Sequence, residues 1–383
     1  MQGKSISKIS VAESVGKGHP DKICDQISDA ILDAILLQDK NARVAIETMA
    51  SNHLIIIGGE LSTSGYVDLI KIAWKILFEI GYSENDFTII SNVNRQSSDI
   101  SALVDQKSGK IGAGDQGIVY GFATNECPNF MPLAQNLANL LVQKAEKYRL
   151  EGKFKNALAD MKAQVEIHYI NNQPKLKRTI MSIQHKSDFN RTDFVDFVIN
   201  KIMIPSAKEY NLNLDFEKLV NKSGDFTIGG PIGDTGLTGR KIIVDSYGDA
   251  ARHGGGAFSG KDYTKVDRTG AYVARWIAKN LVAAGIADEI ELQLSFVIGH
   301  EAPLSISVGK RKNSRLSDTQ IIKVIKENFD LRLGSLISEL ELWKPIYANL
   351  AVYGHFGRQD LILPWEKLNY VEKIKKFVAT PKI

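Results

Sequence analysis

Isoleucines recur at every fourth position from Ile23 to Ile35, which places them on one side of a helix predicted over residues 21–38. Pro20 suits the first turn of that helix, where a missing N–H costs nothing. The next two segments, RVAIETMA and HLIIIGGEL, predict strands, and a second amphipathic helix is predicted over residues 67–80. The first hundred residues therefore have the order helix, strand, strand, helix.

The same order of elements returns twice along the chain. In the middle part, the predicted elements are a helix over residues 132–148, the strands AQVEIHYI and KLKRTIMSI, and a helix over residues 193–204. In the last part, they are a helix over residues 267–284, the strands EIELQLSFVI and LSISVG, and a helix over residues 319–329. This recurrence predicts an α+β fold of three similar sheets covered by helices.

Glycine, serine and aspartate gather near residues 100–112 and 221–236, and such clusters are typical of domain boundaries. The expected domains are an N-terminal domain over residues 1–100, a central domain over residues 112–227 and a C-terminal domain over residues 229–370. These limits are approximate, and a segment from one part of the chain can belong to the domain that another part forms.

Charge and composition exclude some classes of function. The net charge is only +4 over 383 residues, and no basic patch with interleaved aromatic residues suggests a nucleic-acid partner. Cys24 and Cys127 fit neither a disulfide framework nor a metal site, so we expect buried, reduced thiols. The N-terminus has no apolar signal core, and no apolar run is long enough to span a membrane. We therefore expect a cytoplasmic protein.

The stretch RHGGGAFSGKD, residues 252–262, contains most of a phosphate-binding P-loop. A P-loop has Ser or Thr after its Gly-Lys step to hold magnesium, whereas this chain has Asp262. The helical pattern also begins only near Asp267, and no strand directly precedes the glycines. These differences argue against a P-loop, although Lys261, Lys265 and Asp267 remain candidates for binding a polyphosphate.

Three shorter stretches carry candidate chemistry, each with a plain structural alternative. GKGHPDK puts His19 and Asp21 at a helix N-terminus, where they serve either an anion or helix capping. GAGDQG, with Asp115, is either a ligand-binding loop or a turn. ADMKAQV places Asp160 and Lys162 at the start of a strand, where a lone lysine is usually a solvated surface charge.

The longer stretch GDFTIGGPIGDTGLTGRK, residues 224–241, combines an aromatic ring with charged groups. Phe226 could stack on a base, and Asp234 could accept hydrogen bonds from ribose hydroxyls. Arg240 and Lys241 could bind phosphate. The alternative is a long loop with one buried phenylalanine and a basic strand start.

Together these stretches supply enough cations and donors for a long polyphosphate: His19, Lys162, Arg240, Lys241, Lys261 and Lys265. Asp21 and Asp267 are hard oxygen ligands of the kind that magnesium prefers. Glu47, Glu60 and Asp115 would suit a potassium ion or the ammonium group of a substrate. No arrangement of the Ser-His-Asp, Cys-His or zinc type is evident.

Several long motifs occur in one order between about residues 13 and 365: GHPDK, GAGDQGIVYGF, IGGPIGDTGLTGRKIIVDSYG, ARHGGGAFSGKD, KVDR and YGHFGR. On these motifs the chain resembles the S-adenosylmethionine synthetase (methionine adenosyltransferase) family. The resemblance implies three similar α+β domains around a pseudo-threefold axis. It also implies that methionine sulfur attacks C5′ of ATP and expels the triphosphate, which the same site then cleaves to pyrophosphate and phosphate.

The resemblance also implies residue roles, carried over position by position. The catalytic residues would be His19, Lys162, Arg240, Lys261 and Lys265. ATP would be bound by His19, Asp160, Lys162, Phe226, Asp234, Arg240, Lys241, Ala257 and Lys261. Methionine would be bound by Glu60, Gln96, Asp115, Asp234 and Lys265. Two magnesium ions per active site would be held by Asp21 and Asp267, and one potassium ion per subunit by Glu47.

The family's members form dimers or dimers of dimers with active sites between subunits, so the resemblance implies a homo-oligomer. Three positions depart from the family pattern: Lys17 near His19, Ser98 in place of a proline in the lid after Gln96, and Asp225 in place of an arginine at the adenine pocket. Two other functions stay open, a P-loop ATPase or kinase and a catalytically inactive paralogue that acts as a nucleotide-binding regulatory subunit.

Overall fold

The structure is a computed structural model that describes residues 6–95 and 111–379. Its strands are β1 Ile6–Val15, β2 Arg43–Ser51, β3 Leu54–Ser62, β4 Thr88–Asn94, β5 Gly117–Thr124, β6 Ala157–Ile170, β7 Gln173–His185, β8 Glu217–Val220, β9 Gly236–Leu237, β10 Glu289–Phe296 and β11 Ser305–Lys312. Its α-helices are α1 Pro20–Leu36, α2 Leu69–Ile80, α3 Leu133–Leu150, α4 Arg191–Phe197, α5 Ile204–Glu209, α6 Val266–Ala283, α7 Asp318–Asn328, α8 Leu333–Glu339 and α9 Val371–Ala379. The order helix, strand, strand, helix recurs as α1-β2-β3-α2, α3-β6-β7-α4 and α6-β10-β11-α7, which confirms the predicted recurrence.

The strands form three sheets, with the orders β4-β3-β2-β9, β1-β6-β7-β8 and β11-β10-β5. Each sheet contains a strand from another part of the chain. The short β9 pairs with β2, β1 pairs with β6, and β5 pairs with β10, all antiparallel. The α+β class is therefore confirmed, and these exchanged strands link the three parts of the chain. The domain limits given above stay a prediction.

The isoleucines of α1 form the centre of the N-terminal core, as their spacing predicts. Ile23, Ile27 and Ile31 are fully buried, in one cluster with apolar residues of β2 and β3, namely Val44, Ile46, Ile55 and Ile57. Burial of one such side chain stabilises the fold by roughly 1.5–3 kcal/mol, so this stripe fixes the helix on the sheet. None of the helices in the described parts of the chain is long and apolar enough to cross a membrane.

The opposite face of the N-terminal sheet is apolar but exposed. Met49 of β2 pairs with Ile56 of β3, and Ile56 pairs with Ile90 of β4, so the three side chains form a row across the strands. Their exposed fractions are 40%, 36% and 49%. This exposed row, Met49-Ile56-Ile90, is a contiguous apolar patch of the kind that marks an interface.

One predicted helix has a different form in the structure. The segment 193–204 was expected to be one helix, but α4 ends at Phe197 and a π-helical turn, Val198–Met203, precedes α5. Pro205 in the first turn of α5 cannot donate a backbone hydrogen bond. The regular α-helical ladder is therefore interrupted there, and a wider turn accommodates the break.

Backbone contact between β5 and α6 allows a direct test of the fold. A Cβ atom added at Gly121 would lie 2.0 Å from the carbonyl carbon of Ala274. We expect Gly121→Ala to lower the free energy of unfolding by about 1–3 kcal/mol, because strand and helix must move apart. Urea denaturation measures this change. The matched control is Gly334→Ala in α8, where an added Cβ meets no atom within 4 Å. That control should be neutral or stabilising, and equal stability of the two variants would contradict the predicted contact.

Candidate active site

His19 caps the N-terminus of α1. Its Nδ1 atom accepts a hydrogen bond from the Asp21 amide at 3.2 Å, so the proton of a neutral ring lies on Nε2. Burial lowers the pKa of His19 to about 3, and the charges of Lys241 and Lys162 act in the same direction. His19 is therefore a neutral Nε2–H donor at pH 7, at a helix end whose backbone N–H groups favour anions.

Asp21 joins this helix end to the loop that carries the basic pair Arg240-Lys241. Its Oδ1 accepts the Leu237 amide at 3.0 Å, and its Oδ2 accepts Lys241 Nζ at 2.5 Å. Burial raises the pKa of Asp21, but these hydrogen bonds and the Lys241 charge outweigh it, so the net pKa is lowered. Asp21 thus stays ionised and holds Lys241 beside His19.

The strand β6 brings two more predicted residues to this place. Asp160 is buried and accepts the Gly230 amide at 2.8 Å, and burial raises its pKa to about 6. Lys162, two residues along the strand, pairs with Glu13 at 3.0 Å. The fold therefore gathers a first cluster, consisting of His19, Asp21, Asp160, Lys162 and Lys241.

Phe226 lies in the loop that leads to the first cluster, and two hydrogen bonds with His185 hold its backbone. The Phe226 amide donates to His185 Nε2 at 3.0 Å, and the Phe226 carbonyl accepts from the His185 amide at 2.9 Å. The half-buried ring contacts no other aromatic ring among the described residues. The neighbouring Asp225, which departs from the family pattern, pairs with Arg191 at 3.5 Å on the surface.

The first and last residues of the triple glycine pack tightly, against β5 and the start of α6 respectively. A Cβ atom at Gly254 would lie 1.7 Å from the Ile118 carbonyl oxygen, and one at Gly256 would lie 2.1 Å from Asp267 Cγ. Lys261 Nζ donates to Asp267 Oδ2 at 2.5 Å. These contacts define a second cluster, consisting of Lys261, Asp262, Lys265 and Asp267.

Asp262 explains why the Gly-Lys step is not a P-loop. It is fully buried and accepts the Val44 amide at 2.6 Å and the Thr264 amide at 2.8 Å, and it also pairs with Lys265. Burial raises the pKa of Asp262, but the Lys265 charge and hydrogen bonds lower it overall. The following helix begins at Val266, so the Gly-Lys step does not start a helix, as the sequence predicts. Asp262 is therefore an anchor of the loop.

Two contacts connect other predicted residues with these clusters. Ala257 lies against Gly239, since a Cβ atom on that glycine would be 2.3 Å from the Ala257 Cβ. The Gly114 amide donates to the Thr264 carbonyl at 3.3 Å, which brings the GAGDQG loop to the second cluster. Arg240 is exposed and makes no hydrogen bond or ion pair with another residue in the described segments. It is thus available to an anion.

The remaining candidates lie around the clusters without contacting them directly. Glu47 and Glu60 are on the same face of the N-terminal sheet as the exposed row, and the residue opposite Glu60, Ala45, pairs with Lys261. Asp115 and Asp234 are exposed and accept hydrogen bonds only from the next amides of their own turns, among the contacts described. Gln96 and Ser98 lie outside the described residues.

Two functional candidates were missed by the sequence analysis: Asp25 and Asp29. With Asp21 and Asp33 they form a series at every fourth residue of α1, and its members accept amides from three segments that are distant in sequence. The donors are Leu237 at 3.0 Å, Gly239 at 2.9 Å, Gly260 at 2.8 Å and Ala348 at 2.8 Å. The signal was the repeated spacing in DKICDQISDAILD. It was overlooked because aspartate is rarely buried.

The carboxylates suit a metal ion only together with a substrate. Among the described residues, no three His, Cys, Asp or Glu side chains lie close enough to hold a metal by themselves. Asp21 and Asp267 each offer a single carboxylate beside a lysine. This fits magnesium, which is often bound by one or two carboxylates, substrate phosphates and water.

Comparison with known proteins covers nearly the whole chain. Three family models match successive parts of the chain: the S-adenosylmethionine synthetase N-terminal domain over residues 7–108, the central domain over 110–226 and the C-terminal domain over 228–367. The chain is 57% identical to an S-adenosylmethionine synthase of Mycoplasmopsis pulmonis, over 96% of this chain and 98% of the relative. Identity is 49% to that of Mycoplasma mycoides, over 97% of each chain, and 46% to that of Clostridium botulinum, over 97% of this chain and all of the relative.

The role of Asp262 can be tested with Asp262→Ser, which restores the P-loop residue. We expect the free energy of unfolding to fall by roughly 3 kcal/mol, since Lys265 and the Val44 amide lose a buried partner. No ADP should form from ATP, because the helix still begins too late. Urea denaturation and chromatography of the nucleotides measure both effects. Thr264→Val is the control and should cost about 1 kcal/mol, the value of one hydrogen bond. A gain of ADP formation in Asp262→Ser would contradict our interpretation.

Proposed function

Because this chain belongs to the S-adenosylmethionine synthetase family, we propose that the first and second clusters are its substrate-binding and catalytic residues. The chain is a methionine adenosyltransferase. It transfers the adenosyl group of ATP to the sulfur of L-methionine, and the triphosphate is hydrolysed to pyrophosphate and phosphate. The similarity over nearly the whole chain supports this activity most strongly. No finding supports the inactive paralogue.

The paired lysines suit a triphosphate that leaves as one unit. Lys241 and Lys261 each contact an aspartate at 2.5 Å, and Lys265 contacts Asp262. A bound triphosphate would compete for Lys241 and Lys261, and their partners Asp21 and Asp267 would become available to metal. The guanidinium group of the exposed Arg240 can bind two phosphate oxygens at once. The negative charges of the triphosphate would then all have cationic partners.

Members of this family need metal ions, and we propose two magnesium ions, at Asp21 and Asp267. Bound there, magnesium would neutralise charge on the phosphates. We also propose that Glu47, exposed on the N-terminal sheet, is a ligand of one potassium ion per subunit.

The displacement at carbon needs alignment rather than a base. A thioether is a neutral nucleophile, so no proton has to be removed from methionine before attack. Negative charge develops on the departing 5′ oxygen instead. His19 is a neutral donor through Nε2 at pH 7, and Lys162 adds a positive charge close to it. We assign both to the leaving oxygen and its phosphates.

The nucleoside and methionine would occupy the edges of the clusters. Phe226 would stack on adenine, with Asp160, Asp234 and Ala257 around the ribose and phosphates. The proposed methionine pocket consists of Glu60, Gln96, Asp115, Asp234 and Lys265. The support for Glu60 is its place one strand away from Lys261.

The proposed assembly is a homodimer, or a dimer of such dimers, with active sites between subunits. Its support is the exposed row Met49-Ile56-Ile90, which lies on the same sheet face as Glu47 and Glu60. A second copy covering that row would bury apolar surface and close the site beside it. We also propose a cytoplasmic location, since Cys24 and Cys127 are unpaired.

The activity is tested by incubating the protein with ATP, methionine, Mg²⁺ and K⁺ and separating the products. We expect S-adenosylmethionine, pyrophosphate and phosphate without ADP. Lys261→Met should lower kcat roughly a hundredfold, because one charge that stabilises the transition state is lost. Lys375→Met, on the exposed side of α9, is the control and should match wild type. ADP as the product, or no turnover by wild type, would overturn the proposed function.

The assembly is tested with Ile56→Glu, which places a charge in the middle of the exposed row. We expect the variant to sediment as a 42.4 kDa monomer and to lose synthetic activity, whereas wild type sediments as a dimer or tetramer. Ile362→Glu is the matched control, because Ile362 is 94% exposed in a loop. A wild-type monomer, or an Ile56→Glu protein of unchanged mass, would contradict the proposed interface.

A further inference from the structure

Two loops that carry candidate phosphate-binding cations are built in the same way. In one, Gly239 precedes Arg240, and in the other, Gly260 precedes Lys261. Both glycines have left-handed backbones, with φ of +77° and +80°. At Gly260 a Cβ atom would also lie 1.9 Å from the Ile46 carbonyl oxygen, so a larger residue does not fit. The backbone immediately before each cation is therefore tightly defined.

Each of these glycines donates its amide to an aspartate of α1. The Gly239 amide donates to Asp25 Oδ1 at 2.9 Å, and the Gly260 amide donates to Asp29 Oδ1 at 2.8 Å. The two carboxylates are four residues apart, on one face of the helix, and both are fully buried. Two loops that are distant from α1 in sequence are thus attached to successive turns of one rigid element.

Buried cations hold the two carboxylates in place. Arg268 donates to both oxygens of Asp29, at 2.8 and 2.7 Å, and to the Lys261 carbonyl at 3.0 Å. Lys22 donates to Asp25 at 2.9 Å and also pairs with Asp245. These contacts fix the orientation of both carboxylates, so that one oxygen of each faces a glycine amide. Arg268 restrains Lys261 from its other side as well.

We propose that Asp25 and Asp29 are positioning residues for the triphosphate: each fixes the backbone of one cation-bearing loop through its glycine amide. Neither side chain is exposed, so neither contacts a substrate itself. The inference rests on the proposed function for the identity of the anion. A displacement of about 1 Å at a cation can cost a hundredfold in rate, which is why such a fixed backbone matters.

Asp33 provides a matched control within the same helix. It is the next member of the aspartate series and accepts amides from Tyr347 and Ala348, at 3.0 and 2.8 Å. Neither of these residues belongs to the first or second cluster. Substitution of Asp33 therefore removes the same kind of hydrogen bond from the same helix without touching a cation-bearing loop.

The experiment compares Asp25→Ala and Asp25→Asn with Asp33→Ala in the full-length protein. Titration calorimetry with inorganic tripolyphosphate and Mg²⁺ measures binding, kinetics give kcat and the KM values, and thermal melting measures stability. For Asp25→Ala we expect a Kd for tripolyphosphate and a KM for ATP that rise by roughly tenfold to a hundredfold, with little change in the KM for methionine. Asp25→Asn retains an oxygen that can accept the Gly239 amide, so it should recover most of the affinity. Asp33→Ala should melt at a lower temperature but bind tripolyphosphate like wild type.

Three results would overturn the inference. One is a folded Asp25→Ala with wild-type affinity and kcat, another is an equal loss of affinity in Asp33→Ala, and the third is no recovery in a folded Asp25→Asn. Asp25→Ser replaces the alanine variant if that protein does not fold, and the same loss is expected of it. Failure of wild type to make S-adenosylmethionine would instead reject the proposed function, whereas tripolyphosphate binding that depends on Asp25 would still support the positioning role.

Discussion

The arrangement of the site depends on backbone amides held by carboxylates of one buried helix. The aspartate series of α1 bonds to three segments that are distant in sequence, namely residues 237–239, the loop at Gly260 and the turn at Ala348. The isoleucines on another side of the same helix join the N-terminal core. The helix is thus attached both to the sheet and to the loops. Loops without secondary structure of their own obtain a defined shape from these contacts.

Buried charge is costly, and this molecule pairs it closely. An isolated polar side chain in the interior costs free energy, but Asp29 has Arg268 as a partner and Asp25 has Lys22. Replacement of such pairs by apolar groups can be neutral or stabilising in other proteins. Apolar groups could not accept an amide from a loop, however, and the backbone there would be left unsatisfied. The charges therefore serve the placement of the loops more than the stability of the core.

Local periodicity made much of the fold predictable, and distance in sequence limited the rest. The spacing of isoleucines identifies α1, and the order of elements follows from similar patterns. The pairing of Asp21 with Lys241 joins residues 220 positions apart, which no local pattern indicates. The motifs pointed to most candidate side chains through family resemblance, but not to Asp25 or Asp29. Likewise, the π-helical turn follows from Pro205 and its neighbours only once the packing is known.

The exchanged strands have a consequence for how the chain acquires its structure during synthesis. β1 pairs with β6, in a register that joins Ile6 to Ile170, and β5 pairs with β10, which joins Thr124 to Glu289. The first sheet is also incomplete until β9 emerges. In every sheet, therefore, a strand that is synthesised early stays unpaired until its partner strand has been synthesised, unlike domains that fold one after another on the ribosome. The edges of these unpaired strands are exposed in that interval, so a pause in translation would favour aggregation of this chain.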